Sequence, residues 1–296
     1  MCDLDTLHDS TEHLNTNEVS RRRFMTLSAG GAAGAALLSS LLPATANAQA
    51  VTESDVSITT PDGTADCYFV HPSQGASAAV LVWPDILGLR PAFRAMGKRL
   101  AENGYAVLVV NPFYRTEKAP VVAEGASFQD QAVRNKVMGL AGTLNATTHV
   151  TDAKAFIGWL DQQAAVDKSR KIGTTGYCMG GPMVMRTVAA VPERVGAGGS
   201  FHGGGLATAA DNSPHLLIPQ MKASLLIAIA DNDDKQDPKA KETLRAAFDA
   251  AKVQAEIEVY TGCEHGWTVP DSAVYNEAGA EKAWARMLDI FGKALA

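Results

Sequence analysis

The sequence predicts an α/β protein in three layers, a mostly parallel sheet with helices on both of its faces. Three observations predict it. Apolar strand-length runs alternate with helical patterns along most of the chain. A hairpin signal opens the folded part, with the turn residues Pro61, Asp62 and Gly63 between two strand-like runs. Behind the first fifty residues of the 296 lie roughly 250 more, a length that commonly makes one α/β domain. The composition, 46% hydrophobic and 20% charged, is that of a soluble globular chain. A net charge of -6, with lysines and arginines scattered, leaves no basic footprint for nucleic acid.

The first segment reads as a targeting signal rather than as part of the fold. A polar leader ends in Ser20, Arg21, Arg22, Arg23, Phe24 and Met25, and an apolar run rich in Gly and Ala follows over residues 27–42. That is the form of a twin-arginine export signal. Ala46, Asn47 and Ala48 set cleavage after Ala48, with Ala50 as the next register. As a membrane anchor the run is short of the roughly 20 residues a spanning helix needs, and Gly30, Gly31, Gly34, Ser39 and Ser40 interrupt it. The domain reading is therefore a signal over residues 1–48 and one domain over 49–296, exported folded by the twin-arginine machinery to a bacterial periplasm or beyond.

In the mature part, residues 56–58 and 65–70 form the hairpin. A strand over 78–83, a helix over 91–103 stopped by Gly104, and a strand over 105–110 follow. Residues 111–145 have weak periodicity and read as an irregular wall over the site. The alternation resumes with a helix over 148–163, a strand over 171–175, a helix over 181–190 and a strand over 196–201. Strands over 223–230 and 255–260 bracket a helix over 238–251, and a helix over 278–295 closes the chain.

The strand over 171–175 runs into Gly176, Tyr177, Cys178, Met179, Gly180, Gly181 and then a helix. This is Gly-x-Cys-x-Gly in the strand-to-helix setting of a nucleophile elbow. The turn holds the nucleophile in a strained conformation, and the residues two before and two after it must lack side chains. The helix N-terminus favours a thiolate, and the Met179 amide is placed for an oxyanion. Cys178 is the candidate nucleophile.

Such a fold presents nucleophile, acid and base in that order. After the strand ending at Ala230 come Asp231, Asn232, Asp233 and Asp234. Counting three beyond Ala230 selects Asp233 as the acid; counting back four from Pro238 selects Asp234. Asp233 is preferred, and Asp231 reads as a turn and cap residue. The last strand leads into Thr261, Gly262, Cys263, Glu264, His265 and Gly266, a glycine-rich loop that carries the candidate base, His265. His202, Gly203, Gly204 and Gly205 look like the oxyanion segment of lipases, but here they follow the nucleophile instead of preceding it; His202 is either a pocket residue or a turn residue. Loss of Cys2 with the signal leaves Cys67, Cys178 and Cys263, an odd number that keeps at least one thiol out of an intramolecular disulfide. No Cys-x-x-Cys or His-Glu-x-x-His spacing points to a metal.

The cysteine elbow preceded by Tyr177, the run Trp83, Pro84, Asp85, Ile86, Leu87, Gly88, Leu89, and the pair Gly104, Tyr105 together resemble the dienelactone hydrolase family. The resemblance implies the α/β-hydrolase fold and hydrolysis of a small ester or lactone by a Cys, His, Asp triad, without metal or organic cofactor. It also implies that Asp85 touches the resting thiol and that the Ile86 amide completes the oxyanion hole with Met179. Two departures stand out. The family's acid at the position of Asp85 is glutamate, one methylene longer. Family members that hold a substrate carboxylate use arginines, one shortly after the catalytic histidine, whereas His265 is followed by Gly266, Trp267, Thr268, Val269 and Pro270; Arg134 is the other candidate. A general carboxylesterase or thioesterase with the same triad, a non-catalytic binding module on the same fold, and thiol redox exchange between Cys178 and Cys263 or Cys67 are the competing readings.

Overall fold

The computed structural model describes residues 48–296. The expected leader and its apolar run lie outside the described residues. The hairpin is longer than the sequence suggested: β1 (Val51–Thr60) and β2 (Gly63–Pro72) pair antiparallel from Val51 opposite Pro72 to Thr60 opposite Gly63. The strand and helix alternation then follows as β3 (Ala79–Trp83), α1 (Pro91–Glu102), β4 (Ala106–Val110), α2 (Gln131–Ala141), α3 (Ala146–Leu160), β5 (Ile172–Tyr177), α4 (Gly180–Ala190) and β6 (Val195–Phe201). A 3-10 helix (Pro214–Gln220), β7 (Ser224–Ala230), α5 (Asp231–Gln236), α6 (Pro238–Ala251), β8 (Ala255–Tyr260) and α7 (Glu277–Ala294) complete it.

The sheet has the order β1-β2-β4-β3-β5-β6-β7-β8, parallel from β4 to β8 and antiparallel only where β2 meets β1 and β4. The expected fold class is the observed one. β3 shows why both faces need helices: all five of its residues are buried, and alternate side chains serve opposite cores. Val80 and Val82 face a core with Phe93, Met96 and Leu100 of α1 and Trp284, Met287 and Phe291 of α7. Leu81 and Trp83 face the other, with Phe156 of α3, Val184 of α4 and Phe248 of α6. Truncating a fully buried ring such as Phe156 or Phe291 to alanine would cost about 3–5 kcal/mol.

Residues 111–145 depart from the expected irregular wall. They contain α2, capped by Asp130, whose carboxylate accepts from the amides of Ala132 and Val133 at 2.8 and 3.2 Å. Only Val137 and Leu140 of this helix are buried, so the apolar stripe that would have revealed it is too narrow to register. The expected acidic turn after β7 is the short helix α5, whose Asp231, Asp233 and Asp234 lie in its first turn, where carboxylates suit a helix N-terminus.

Candidate active site

β5 ends at Tyr177 and α4 begins at Gly180, so Cys178 stands in the turn between them with φ +52. A non-glycine residue there carries strain of about 1–3 kcal/mol, held only where the surroundings dictate it. They do. A Cβ at Gly176 would lie 2.3 Å from the Gly180 carbonyl oxygen, and one at Gly180 would lie 2.4 Å from that of Trp83. The two glycines let strand and helix pass, and the second also lets the end of β3 close over the elbow. Cys178 is buried, and its amide donates to the Phe201 carbonyl at 3.0 Å and to His202 Nδ1 at 3.1 Å.

The loop after β8 turns at Gly262 and Gly266, with φ +73 and +102. Between them His265 sets Nδ1 2.8 and 3.0 Å from the two carboxylate oxygens of Asp233. That carboxylate keeps the neutral ring's proton on Nδ1 and leaves Nε2 as the basic nitrogen. Asp234 turns away to Lys241 at 2.6 Å, and Asp231 accepts from Lys235 and the Gly262 amide. Of the two registers open in the sequence, the structure puts Asp233 on the histidine. Asn232, which sequence reasoning passed over, receives the His265 amide on its Oδ1 at 2.9 Å and so holds the main chain of that histidine. Its signal was present, an amide among acids directly after the strand.

His202 is neither an open pocket residue nor a simple turn. It is fully buried at φ +40, its Nδ1 accepting from Cys178 and its Nε2 2.9 Å from Thr268 Oγ1. Its ring lies 5.0 Å from that of His265, which brings the elbow and the loop after β8 to one place. Burial above all, and His265 beside it, push its pKa well below the ordinary histidine value.

Ile86 and Met179, expected at the oxyanion hole, are both buried on the two segments that meet at Gly180. Asp85, expected to touch the thiol, is paired with an arginine. Its oxygens receive Arg90 Nη1 at 2.6 Å and Nη2 at 2.9 Å, and Arg90 carries two further donors to Asp271 at 2.7 and 2.8 Å. One methylene shorter than glutamate, Asp85 is matched to an arginine five residues on. Arg90 was not singled out in the sequence; its only signal there is its place before the proline that starts α1. Arg134 lies on α2, half-buried.

No disulfide joins cysteines among the described residues. Cys67 lies buried in β2, and burial pushes its thiol far up. Cys263 is buried too, packed so tightly that a Cβ at position 279 would come within 2.4 Å of its sulfur. Burial raises its pKa as well, so neither is a ready redox partner.

The sequence pattern of the dienelactone hydrolase family matches residues 65–295. A Rhodococcus opacus carboxymethylenebutenolidase is 24% identical over 240 residues, 79% of this chain and 88% of that one. A Salmonella typhi protein provisionally given the same name is 25% identical over 231 residues, covering 76% and 82%. Among solved structures, a Klebsiella pneumoniae chain provisionally described as a dienelactone hydrolase superposes with a TM-score of 0.72 at 22% identity, over 83% of this chain and all of that one.

Proposed function

The chain belongs to the dienelactone hydrolase family and is a lactone or ester hydrolase of that kind; from that premise we propose that its chemistry runs through Cys178, His265 and Asp233. The observation that carries the reading is the 2.8 Å contact of His265 Nδ1 with Asp233, one histidine ring away from a cysteine held at φ +52 on an elbow.

His265 Nε2 takes the thiol proton and Cys178 Sγ attacks the carbonyl carbon of a small ester or lactone. The oxygen that becomes negative is received by the Met179 and Ile86 amides. As the carbon–oxygen bond breaks, His265 returns the proton to the departing alkoxide and a thioester is left on Cys178. Water, deprotonated by His265, then attacks that thioester; the thiolate leaves and the acid is released. Asp233 orients the ring and balances its charge in both halves. The steps call on no metal or organic cofactor.

Replacing Cys178 by alanine tests this: ester hydrolysis is expected to fall by several orders of magnitude in a protein whose circular dichroism is unchanged. Wild-type turnover in folded Cys178→Ala would reject the mechanism.

Residues 1–48 we read as a twin-arginine signal, placing the mature domain, residues 49–296, in the periplasm or outside the cell. What supports a cut after Ala48 over one after Ala50 is that Gln49 and Ala50 belong to the fold: the Gln49 amide donates to Glu102 at 3.1 Å and the Ala50 carbonyl accepts from Ser73 at 2.8 Å. With Arg21 and Arg22 both changed to lysine, uncut precursor is expected to accumulate in the cytoplasm, and undiminished export would reject the assignment.

A further inference from the structure

The proposed hydrolysis gives no part to His202, which is fully buried. It stands at the end of β6, beside the elbow, and its ring packs among Tyr177, His265 and Trp267, with centroids 6.2, 5.0 and 5.2 Å away. Both of its nitrogens are engaged, and the partners fix which does what. A backbone amide can only donate, so the Cys178 N–H at 3.1 Å finds a lone pair on Nδ1. The ring's proton is then on Nε2 and is given to Thr268 Oγ1 at 2.9 Å. Only the neutral ring in this one tautomer makes both bonds, since an imidazolium would set N–H against N–H.

We propose that His202 is a positioning residue that ties the nucleophile's main chain to the loop carrying its base. The proposal rests on the reading of Cys178 and His265 as nucleophile and base. Cys178 and His202 are both non-glycine residues at positive φ, each directly after one of two neighbouring parallel strands, and the bond between them holds one strained residue against the other. At the far side of the ring, Thr268 lies three residues beyond His265, in a loop with two glycines at positive φ and therefore in need of external fixing. The loop is also held through Asn232, Asp233 and Asp271, but these lead to α5 and to Arg90. The His202 bonds lead directly to the nucleophile. Small displacements between reacting groups cost rate out of proportion to their cost in binding. The link therefore acts on kcat and leaves KM largely alone.

The full chain, freed of its leader by its host, is assayed on a neutral aryl ester, alongside the rate at which iodoacetamide alkylates Cys178 at mildly acidic pH, where a thiolate paired with an imidazolium is the reactive form. Thr268→Val keeps shape and removes the acceptor. It should lower kcat about tenfold, the worth of one buried hydrogen bond, with KM within about twofold, and slow alkylation by a similar factor. Thr268→Ser keeps the hydroxyl and should restore both. His202→Asn keeps an acceptor near the place of Nδ1 and tolerates positive φ, but does not reach Thr268. It should match Thr268→Val, and the double variant should lose no more than either single one, because all three break one link. Wild-type kcat and alkylation in folded Thr268→Val, a change in melting temperature alone, or losses that multiply in the double variant would each overturn the proposal. Cys178→Ala run in parallel separates the two levels: if it is inactive, the outcome bears on His202 alone, and if it is active, the underlying mechanism falls first.

Discussion

Two aspartates stand just beyond strand ends at the same edge of the sheet, Asp233 after β7 and Asp85 after β3, and they have opposite fates. Asp233 gives both oxygens to the ring of His265 at 2.8 and 3.0 Å. Asp85 gives both to Arg90 at 2.6 and 2.9 Å. Burial opposes the charge on Arg90, but Asp271 and Asp85 outweigh it and hold the guanidinium charged. In the proposed mechanism the first carboxylate serves a group that changes protonation during turnover. The second is spent on a permanent cation and closes the β3 loop onto the loop after β8. A carboxylate at a strand end thus acquires its role from its partner, and in the proposed mechanism the same side chain serves the chemistry in one loop and is a fastener in the other.

The largest effect that would break this contrast is on turnover. Asp233→Asn removes the charge that orients His265 and should lower kcat by about a thousandfold or more, while Asp234→Asn, which disturbs only the contact with Lys241, should stay within a fewfold of wild type. Steady-state kinetics on both variants decide it. A larger loss in Asp234→Asn would reverse the assignment of the two neighbours.

Stability provides the next test. Arg90→Met leaves Asp85 and Asp271 facing each other with side chains only 13% and 20% exposed. Removing one member of a largely buried ion cluster costs about 3 kcal/mol, or roughly 6–12 °C in melting temperature for a domain of this size. Changing both aspartates to asparagine in the same background should recover part of that loss. If thermal unfolding is unmoved while kcat collapses, Arg90 belongs with the chemistry and the contrast between the two loops fails.

The sequence made Asp233 and His265 legible because each sits at a position the strand pattern dictates, and the glycines around Cys178 because a turn so tight admits nothing else. The partners of Asp85 and His202 were not legible. Arg90 meets Asp271 across 181 residues and His202 meets Thr268 across 66, and no local pattern encodes such a meeting. α2 was missed for a different reason: a surface helix burying two side chains has almost no amphipathic signature. The sheet was easier throughout, since continuous apolar runs such as those of β3 and β4 suit only strands covered on both faces.

The histidines extend the contrast to acid stability. His265 faces a carboxylate, whereas His202 faces Thr268 and a main-chain amide, and His149 faces Arg186 at 3.4 Å. Burial first, then Arg186, depresses the pKa of His149 to about 3. A histidine whose folded pKa lies below its unfolded value contributes stability above the unfolded value, and that contribution is lost as pH falls toward the folded one. Each such group should therefore add about 1.4 kcal/mol of lost stability per pH unit below roughly 6.5, down to about 3 for His149. Denaturant unfolding at a series of pH values checks it. His149→Asn, which keeps an acceptor for Arg186, should flatten the slope by one proton; an unchanged slope would place the acid sensitivity elsewhere.

The smallest effect concerns which substrates the site admits, and it follows from how fully Arg90 is used. A guanidinium has five N–H donors. In Arg90 they go to Asp85 twice, to Asp271 twice and to the Gly88 carbonyl, so none is left for a substrate. The cluster as a whole is one negative charge in excess, and the loop from Gly266 to Pro270 brings no arginine to offset it. An anionic lactone would thus meet repulsion where an anchor worth about 1.5–3 kcal/mol would otherwise stand. We expect kcat/KM for a neutral lactone to exceed that for its carboxylated analogue by about tenfold at low salt, where charge effects are least screened. Asp271→Asn weakens two of the acceptors and cancels the excess charge, so it should narrow the preference to about threefold, with Arg134→Gln leaving it unchanged. A preference for the carboxylate that disappears in Arg134→Gln would move the anchor to α2 and show that the β3 loop has no say in substrate charge.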